Sequence, residues 1–229
     1  MVRERLVPLA QGDARLVIDA PVGGAGAGRS VVILGHGAGG GQGARDLAAL
    51  AAALSGDGHL VLRFVQPYRL AGRKGPGPPA GLDAAMTSLV GWLQGRGAGA
   101  LRLGGRPLVL GGRSSGARVA CRTSHPLGAA GVICLAFPLR PPGRPEVTRI
   151  DELAGSVRPT LVLQGTTDVF GDAASVRREL RIAAADDGIE VVEVERTGHE
   201  LTIGRSASAS VPTLVVDAAR TFVDAVARD

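Results

Sequence analysis

Short apolar segments alternate with segments of helical periodicity along most of this chain. Val31–Leu34 and Val132–Phe137 are continuous apolar runs, which are typical of strands buried on both faces of a sheet. In Leu82–Leu93, apolar residues recur at the spacing of one helix face. Strands and helices in alternation favour a mostly parallel sheet that is covered by helices on both faces. The sequence therefore predicts an α/β fold.

The same patterns assign the remaining elements. The strand candidates are Arg5–Pro8, Leu16–Ile18, Val31–Leu34, His59–Val65, Pro107–Leu110, Val132–Phe137, Thr160–Gln164 and Ile189–Val194. The helix candidates are Ala44–Leu54, Leu82–Leu93, a segment that ends near Arg122, a segment that begins near Asp172, and Val211–Val226. No internal repeat or interdomain linker separates them, so residues 1–229 are predicted to form a single domain.

Composition excludes several classes of function. Aromatic residues make up only 3% of the chain, too few for a stacking platform that binds single-stranded nucleic acid. The net charge of +5 comes from arginines spread along the chain, so we expect no nucleic-acid partner. No apolar run of membrane-spanning length occurs and the first residues are charged, which predicts a cytoplasmic protein without a membrane partner. Cys121 and Cys134 are predicted to be buried, reduced thiols.

The motif Gly112–Gly116, GRSSG, lies between the strand candidate Pro107–Leu110 and a predicted helix. A G-x-S-x-G sequence in this setting is the pattern of a nucleophile elbow, a sharp turn that exposes a serine above the sheet. The serine at its apex adopts strained backbone angles, and the flanking glycines leave the space that the turn needs. We therefore predict that Ser114, and not its neighbour Ser115, is a nucleophile.

A serine hydroxyl needs a general base within hydrogen-bond reach and a carboxylate behind that base. In a sheet of this kind the three residues follow one another as Ser, acid and His. His199 follows the last strand candidate and is the predicted base, whereas His125 comes at the end of the helix after the elbow. Asp168 follows the preceding strand candidate and is the predicted acid. Its competitor, Asp172, is better used as the N-cap of the next helix.

The anionic intermediate of acyl transfer needs hydrogen-bond donors that are already in place. The backbone N–H of Ser115, the residue after the nucleophile, is one predicted donor to this oxyanion hole. The other is the N–H of Ala38 in the glycine-rich loop Gly35–Gly40, GHGAGG, which follows a strand candidate. His36 is predicted to shape this loop and is a candidate substrate contact rather than a catalytic group.

The loop Gly35–Gly40 also fits the G-x-G-x-x-G pattern of a dinucleotide site. That fingerprint requires an acidic residue at the end of the next strand, where this chain has Arg63–Val65, RFV. We therefore expect no dinucleotide. The predicted serine chemistry calls for no other cofactor and for no metal.

With serine, acid, histidine and oxyanion loop in this order, the sequence resembles the α/β-hydrolase superfamily. Within it, the chain is similar to the dienelactone-hydrolase-related branch, which includes a testis-expressed hydrolase-like protein and the hydrolase-like region of an NSL chromatin-complex subunit. The segments that carry the resemblance are Gly35–Gly40, Gly111–Ser114, Ile133–Leu139 with the prolines at 141 and 142, and His199–Ser206. The resemblance implies an eight-stranded sheet with a serine-hydrolase triad. Dienelactone hydrolases themselves use a cysteine nucleophile, so their named activity does not carry over to Ser114.

The resemblance leaves the substrate open. Large lids in this superfamily usually follow the sixth strand, and only Pro138–Thr148 lies there, so we expect no large lid and an open site. Arg113 and Arg140 are candidate contacts to a carboxylate or phosphate of the substrate, but in an arginine-rich chain the simpler alternative of solvated surface arginines is favoured.

The leading prediction is a serine hydrolase that cleaves a small-molecule ester or thioester through an acyl-enzyme, with amide cleavage left open. The alternative is a non-catalytic binding or scaffold protein on the same fold. The motifs leave monomer and homodimer open.

Overall fold

The computed structural model of this protein describes residues 2–39, 43–157, 159–204 and 208–228. Gly40 of the glycine-rich loop, and Arg205 and Ser206 of the last segment that carries the resemblance, lie outside the described residues.

Eight strands and seven α-helices occur in the described part of the chain. The strands are β1 Val2–Leu9, β2 Gly12–Asp19, β3 Val31–Gly35, β4 Leu60–Val65, β5 Leu108–Arg113, β6 Gly131–Leu135, β7 Thr160–Gly165 and β8 Ile189–Val194. The helices are α1 Arg45–Gly56, α2 Pro67–Leu70, α3 Pro79–Gln94, α4 Ser115–Ser124, α5 Ile150–Ala154, α6 Ala173–Ile182 and α7 Thr213–Val226. Two 3₁₀ helices span Ala25–Ala27 and Arg96–Leu101.

The strands form one sheet in the order β1-β2-β4-β3-β5-β6-β7-β8. β2 pairs antiparallel with both β1 and β4, and the other neighbouring strands pair in parallel. Because β3 to β8 run in one direction, the loops that follow them meet at one edge of the sheet. The predicted eight-stranded, mostly parallel sheet is confirmed.

The sheet separates two apolar cores, as a strand buried on both faces requires. Along β3, Val31 and Ile33 point into one core, whereas Val32 and Leu34 point into the other. Helices α3, α4, α5 and α6 pack against the first core, and α1 and α7 pack against the second. Helices therefore cover both faces, as the alternating pattern predicts.

The structure differs from the sequence-based expectation between β4 and α3. Residues 66–81 are rich in proline and glycine, a composition that favours an irregular loop, but α2 begins at Pro67 and α3 begins at Pro79. A proline is well tolerated in the first turn of a helix, because the N–H that it lacks has no intrahelical acceptor there. Pro67 and Pro79 therefore start helices rather than prevent them.

Three further expectations concern the rest of the chain. The segment 136–149 between β6 and α5 contains no inserted domain, in agreement with the expected absence of a large lid. Cys121 and Cys134 are free and buried, with their Sγ atoms 3.4 Å apart, as predicted. In the described residues no helix is both long and apolar enough to cross a bilayer.

Candidate active site

Ser114 lies at the sharp turn between β5 and α4, at the edge of the sheet where the parallel strands end. Its φ of 54° and ψ of −111° fall in a strained region of backbone space that non-glycine residues rarely occupy. The turn brings Gly116 against β3 so closely that a Cβ on Gly116 would lie 2.5 Å from the carbonyl carbon of Gly35. The backbone N–H of Ser114 donates to the Leu135 carbonyl at 2.9 Å, which fixes the turn to β6. The strand–turn–helix setting expected of a nucleophile elbow is present.

The structure brings Ser114, His199 and Asp168 into one chain of hydrogen bonds. His199 Nε2 lies 2.9 Å from Ser114 Oγ, and His199 Nδ1 lies 2.8 Å from Asp168 Oδ2. Because a carboxylate oxygen accepts, the proton of the neutral imidazole sits on Nδ1 and leaves Nε2 free to accept from the serine hydroxyl. This arrangement can remove a proton from Ser114 while the carboxylate holds the ring orientation.

Asp168 is buried and held by neighbours that sequence reasoning missed. Its Oδ1 accepts from the backbone N–H of Phe170 at 2.9 Å, and its Oδ2 accepts from the Gln164 side-chain amide at 3.1 Å. Phe170 also packs edge-on against the His199 ring, with centroids 4.6 Å apart. Gln164 is the fifth and last residue of the strand candidate Thr160–Gln164, and GTTD follows it, but nothing in that pattern indicates that its amide faces the acid. These contacts hold the Asp168 carboxylate in an orientation that faces His199.

Asp172 takes the role that the sequence predicts for it. It is the N-cap of α6, and its side chain accepts from the Ser175 N–H at 2.8 Å. Hydrogen bonds from Ser175 lower the pKa of this carboxyl below its ordinary value. The Asp172 carboxylate is therefore engaged at the N-terminus of α6, and the structure pairs Asp168 rather than Asp172 with His199.

The glycine-rich loop after β3 lies beside the elbow. A Cβ on Gly37 would be 3.6 Å from the Cβ of Ser114, so the loop backbone runs directly past the nucleophile. The hydroxyl of Tyr68, on α2, donates to the Ala38 carbonyl at 2.9 Å and restrains the residue predicted to supply one oxyanion donor. Ser115, the other predicted donor, is the first residue of α4, where a backbone N–H has no intrahelical acceptor. The contact from Tyr68 is another feature that the sequence did not reveal.

His36 has a structural role in this loop. Its Nδ1 lies 2.8 Å from the Gly37 carbonyl, and its Nε2 accepts from the Gln66 N–H at 3.1 Å. The residue is only 3% exposed, and burial lowers the pKa of its imidazole, which favours the neutral form. The interpretation of His36 as a loop-shaping residue fits these contacts. Both ring nitrogens are already engaged, so His36 has no free ring nitrogen to offer a substrate, and its role as a substrate contact stays a prediction.

The two arginines predicted to contact substrate are both paired inside the protein. The Arg140 guanidinium binds Glu179 of α6, and the Arg140 N–H donates to the Phe170 carbonyl at 2.8 Å. Arg113 lies beside the nucleophile but binds Asp46 and the His199 carbonyl. Because each guanidinium already has a carboxylate partner, neither presents an unneutralised charge to an anionic substrate. The Arg113 side chain is only 14% exposed, so Arg113 is not a solvated surface arginine, and its contact with a substrate stays a prediction.

A second array of serine, histidine and aspartate lies at the opposite edge of the sheet. Ser30 Oγ lies 2.8 Å from His59 Nδ1, and His59 Nε2 lies 3.1 Å from Asp224 Oδ1. Ser30 precedes β3 and His59 precedes β4, so this array sits at the amino ends of the strands. Ser30 and His59 are 0% exposed, which leaves no room for a substrate. This array ties α7 to the sheet and is not an alternative active site.

Within residues 2–39, 43–157, 159–204 and 208–228, no group of three or more histidine, cysteine or carboxylate side chains is placed to hold a metal ion.

Comparison with known families agrees with this geometry. A family model described as an alpha/beta hydrolase domain matches residues 28–227. This chain belongs to the α/β-hydrolase family. Its eight-stranded, mostly parallel sheet with helices on both faces is the α/β-hydrolase fold. The narrower dienelactone-hydrolase-related branch stays a prediction, and none of the curated protein sequences matches the chain significantly.

Several solved structures share the fold at low sequence identity. An α/β serine hydrolase without a lid from Xanthomonas campestris is 18% identical, with a TM-score of 0.66 over 99% of this chain and 94% of that one. An α/β serine hydrolase homologue from Coxiella burnetii is 18% identical, with a TM-score of 0.71 over 99% and 96%. Esterase 2 of Thermogutta terrifontis, phosphonylated by cyclosarin, is also 18% identical, with a TM-score of 0.73 over 98% and 94%. At this level of identity the similarity shows the fold alone.

Proposed function

We propose that this α/β-hydrolase-family protein is a serine hydrolase that cleaves small carboxylic esters or thioesters through an acyl-enzyme on Ser114. The observation that carries the proposal is the continuous hydrogen-bond chain from Ser114 through His199 to Asp168. It stands at a strained turn whose backbone geometry exposes the serine. Strain of this kind persists only where the surrounding structure enforces it, and it is concentrated at functional sites.

The reaction follows from the roles that these atoms can take. Ser114 Oγ attacks the carbonyl carbon of the substrate while His199 Nε2 takes the hydroxyl proton. The oxyanion that forms is stabilised by the backbone N–H groups of Ala38 and Ser115. Collapse of this intermediate breaks the bond to the alcohol or thiol, which leaves with the proton from His199. A water molecule then repeats the sequence on the acyl-enzyme and releases the carboxylic acid. Asp168 keeps the imidazole oriented throughout.

Two features support a small substrate. The small cleft lined by Ser115, Tyr68 and Met86 among others has a volume of about 10 Å³. A space of that size holds roughly one water molecule, so this cleft offers no room for a long acyl chain. The short segment 136–149 after β6 adds no cover that could enclose a long acyl chain.

Turnover of a matched panel tests the proposal. An acetyl ester, an acetyl thioester and an acetyl anilide of similar leaving-group size are compared on the wild type, Ser114→Ala and Ser115→Ala. We expect the ester and thioester to be hydrolysed faster than the anilide.

Ser114→Ala removes the nucleophile and should abolish turnover. Ser115→Ala is the matched control, because it deletes a neighbouring hydroxyl but keeps the backbone N–H. Turnover that survives in Ser114→Ala would refute the assignment of the nucleophile.

A further inference from the structure

Arg113 connects three parts of the site through one side chain. It is the last residue of β5 and immediately precedes the nucleophile. Its Nε lies 3.1 Å from Asp46 Oδ2 on α1, and its terminal nitrogen donates to the main-chain carbonyl of His199 at 2.9 Å. The elbow, the start of α1 and the loop that carries the histidine therefore meet at one guanidinium.

Burial strengthens the ion pair between Arg113 and Asp46. The Arg113 side chain is 14% exposed and that of Asp46 is 1% exposed, so water screens the ion pair little. The other oxygen of Asp46 accepts from the Leu47 N–H at 2.8 Å in the first turn of α1, which fixes the carboxylate to that helix. Burial raises the pKa of Asp46, and the charge of Arg113 opposes this rise. The charge of Arg113 therefore favours the ionised form of the buried Asp46.

The backbone of the segment that carries His199 is restrained by its contact with Arg113. His199 follows β8 in a segment without helix or strand, and within this segment Leu201 has a positive φ of 49°. The imidazole is held at its ring by the hydrogen bonds to Ser114 and Asp168 and by the edge-on contact with Phe170. A bond to the His199 carbonyl restrains the backbone from which that ring projects.

We propose that Arg113, anchored by Asp46, is a positioning residue that holds the His199 backbone so that Nε2 stays within reach of Ser114. The inference rests on the proposed function, because it assigns a role in the same reaction. It differs from the sequence-based prediction that Arg113 contacts an anionic substrate. A planar guanidinium can bridge a carboxylate and a carbonyl at once, which the single ammonium of a lysine does less well.

The test uses Arg113→Met, Asp46→Asn and the double variant, with Arg122→Met as the matched control. Arg122 lies in α4, the helix that follows the elbow, and its side chain is 18% exposed and paired with Asp83 and Glu152. It makes no contact with His199 among the described hydrogen bonds. Arg122→Met thus removes a similarly buried arginine ion pair without touching the histidine loop.

Two readouts separate positioning from substrate binding. The first is the second-order rate at which a fluorophosphonate labels Ser114, which depends on activation of the hydroxyl. The second is kcat and KM for two acetyl esters of equal size, one neutral and one bearing a carboxylate. We expect Arg113→Met to lower the labelling rate and kcat by about 10- to 100-fold on both esters, with KM unchanged. Arg122→Met should leave these values near those of the wild type.

Asp46→Asn keeps the shape of the side chain and its bond to Leu47, so it covers the case in which Arg113→Met does not fold. It should slow labelling in the wild-type background and have little further effect in Arg113→Met, since Asp46 acts through Arg113.

The possible failures are distinguishable. If the wild type is not labelled at all, the proposed function itself fails. If the wild type is labelled and Arg113→Met and Asp46→Asn are labelled at the same rate, only the role of Arg113 is overturned. A rise in KM confined to the carboxylate ester, with unchanged labelling, would show that Arg113 binds substrate and would also overturn the inference.

Discussion

Gly165→Ala should disturb the active site without altering any side chain of the triad. Gly165 ends β7, and the chain segment that leads to His199 crosses directly over it. A Cβ at this position would lie 2.7 Å from the Gly198 carbonyl oxygen and closer still to that of Thr197. Ordinary van der Waals contact begins at 3.4 Å, so the backbone of the crossing segment must move by about 0.7 Å or more.

Displacement of the backbone at Thr197 and Gly198 should also move His199, the general base. The Thr197 carbonyl accepts from both the N–H and the hydroxyl of Thr167, at 3.0 and 2.9 Å, and moving it strains both bonds. His199 lies two residues further along and is carried away from Asp168. A misplacement of about 1 Å can lower the rate by about 100-fold, so we expect kcat to fall by about 10- to 100-fold. Crowding of a packed backbone should lower the free energy of unfolding by about 1–3 kcal/mol.

Gly198→Ala is the matched control in the same segment. A Cβ on Gly198 would lie 3.6 Å from the Thr167 carbonyl oxygen, which is an ordinary contact. The assay is hydrolysis of an acetyl ester, with urea unfolding followed by circular dichroism on the same samples. If Gly165→Ala retains wild-type kcat, or if Gly198→Ala loses as much activity, the reasoning from backbone contact is refuted.

The remaining predictions address the acid, the fold and its pH dependence. Asp168→Asn should lower kcat for an acetyl ester by about 10³- to 10⁴-fold, because an amide can hold the imidazole in the wrong tautomer, and a thermal melt near that of the wild type would show that the fold is kept. Gly91 lies exposed within α3 with no atom near its missing Cβ, so Gly91→Ala should raise the free energy of urea unfolding by about 0.5–1 kcal/mol, and a decrease would contradict this. Burial lowers the pKa of His36 and of His59, so the unfolded chain binds more protons than the folded one below the ordinary value of 6.5. The free energy of urea unfolding should therefore fall as the pH drops from about 7.5 to 5.5. His59→Asn should show a shallower fall, and an equal slope in both proteins would exclude a contribution from His59.

The backbone frame of the site could be predicted because local patterns determine it. The G-x-S-x-G motif can form an elbow only where a strand enters and a helix leaves, and both flanks of Ser114 carry the required periodicity. Parallel strands then bring the loops that hold Asp168 and His199 to the same edge, whatever the details of packing. The order of residues along the chain was sufficient for this part.

The supporting contacts could not be predicted, because they join residues that are distant in the sequence. Asp46 and Arg113 are 67 positions apart, and nothing near Asp46 distinguishes it from an acidic residue that favours a helix N-terminus. Tyr68 lies in a segment whose prolines and glycines favoured a loop, so its bond to Ala38 was not expected. The internal partners of His36 and Arg140 could not be predicted for the same reason, since they come from other elements.

The central claim is that Ser114 is an activated nucleophile, and labelling by a fluorophosphonate tests it most directly. The purified protein is treated with the reagent, and the modified residue is located by peptide mass spectrometry in the wild type, Ser114→Ala and His199→Ala. The account predicts one label per chain at Ser114, none in Ser114→Ala, and much slower labelling in His199→Ala. A folded wild-type protein that remains unlabelled, or that is labelled at another residue, would contradict the account and favour a binding or scaffold role for the same fold.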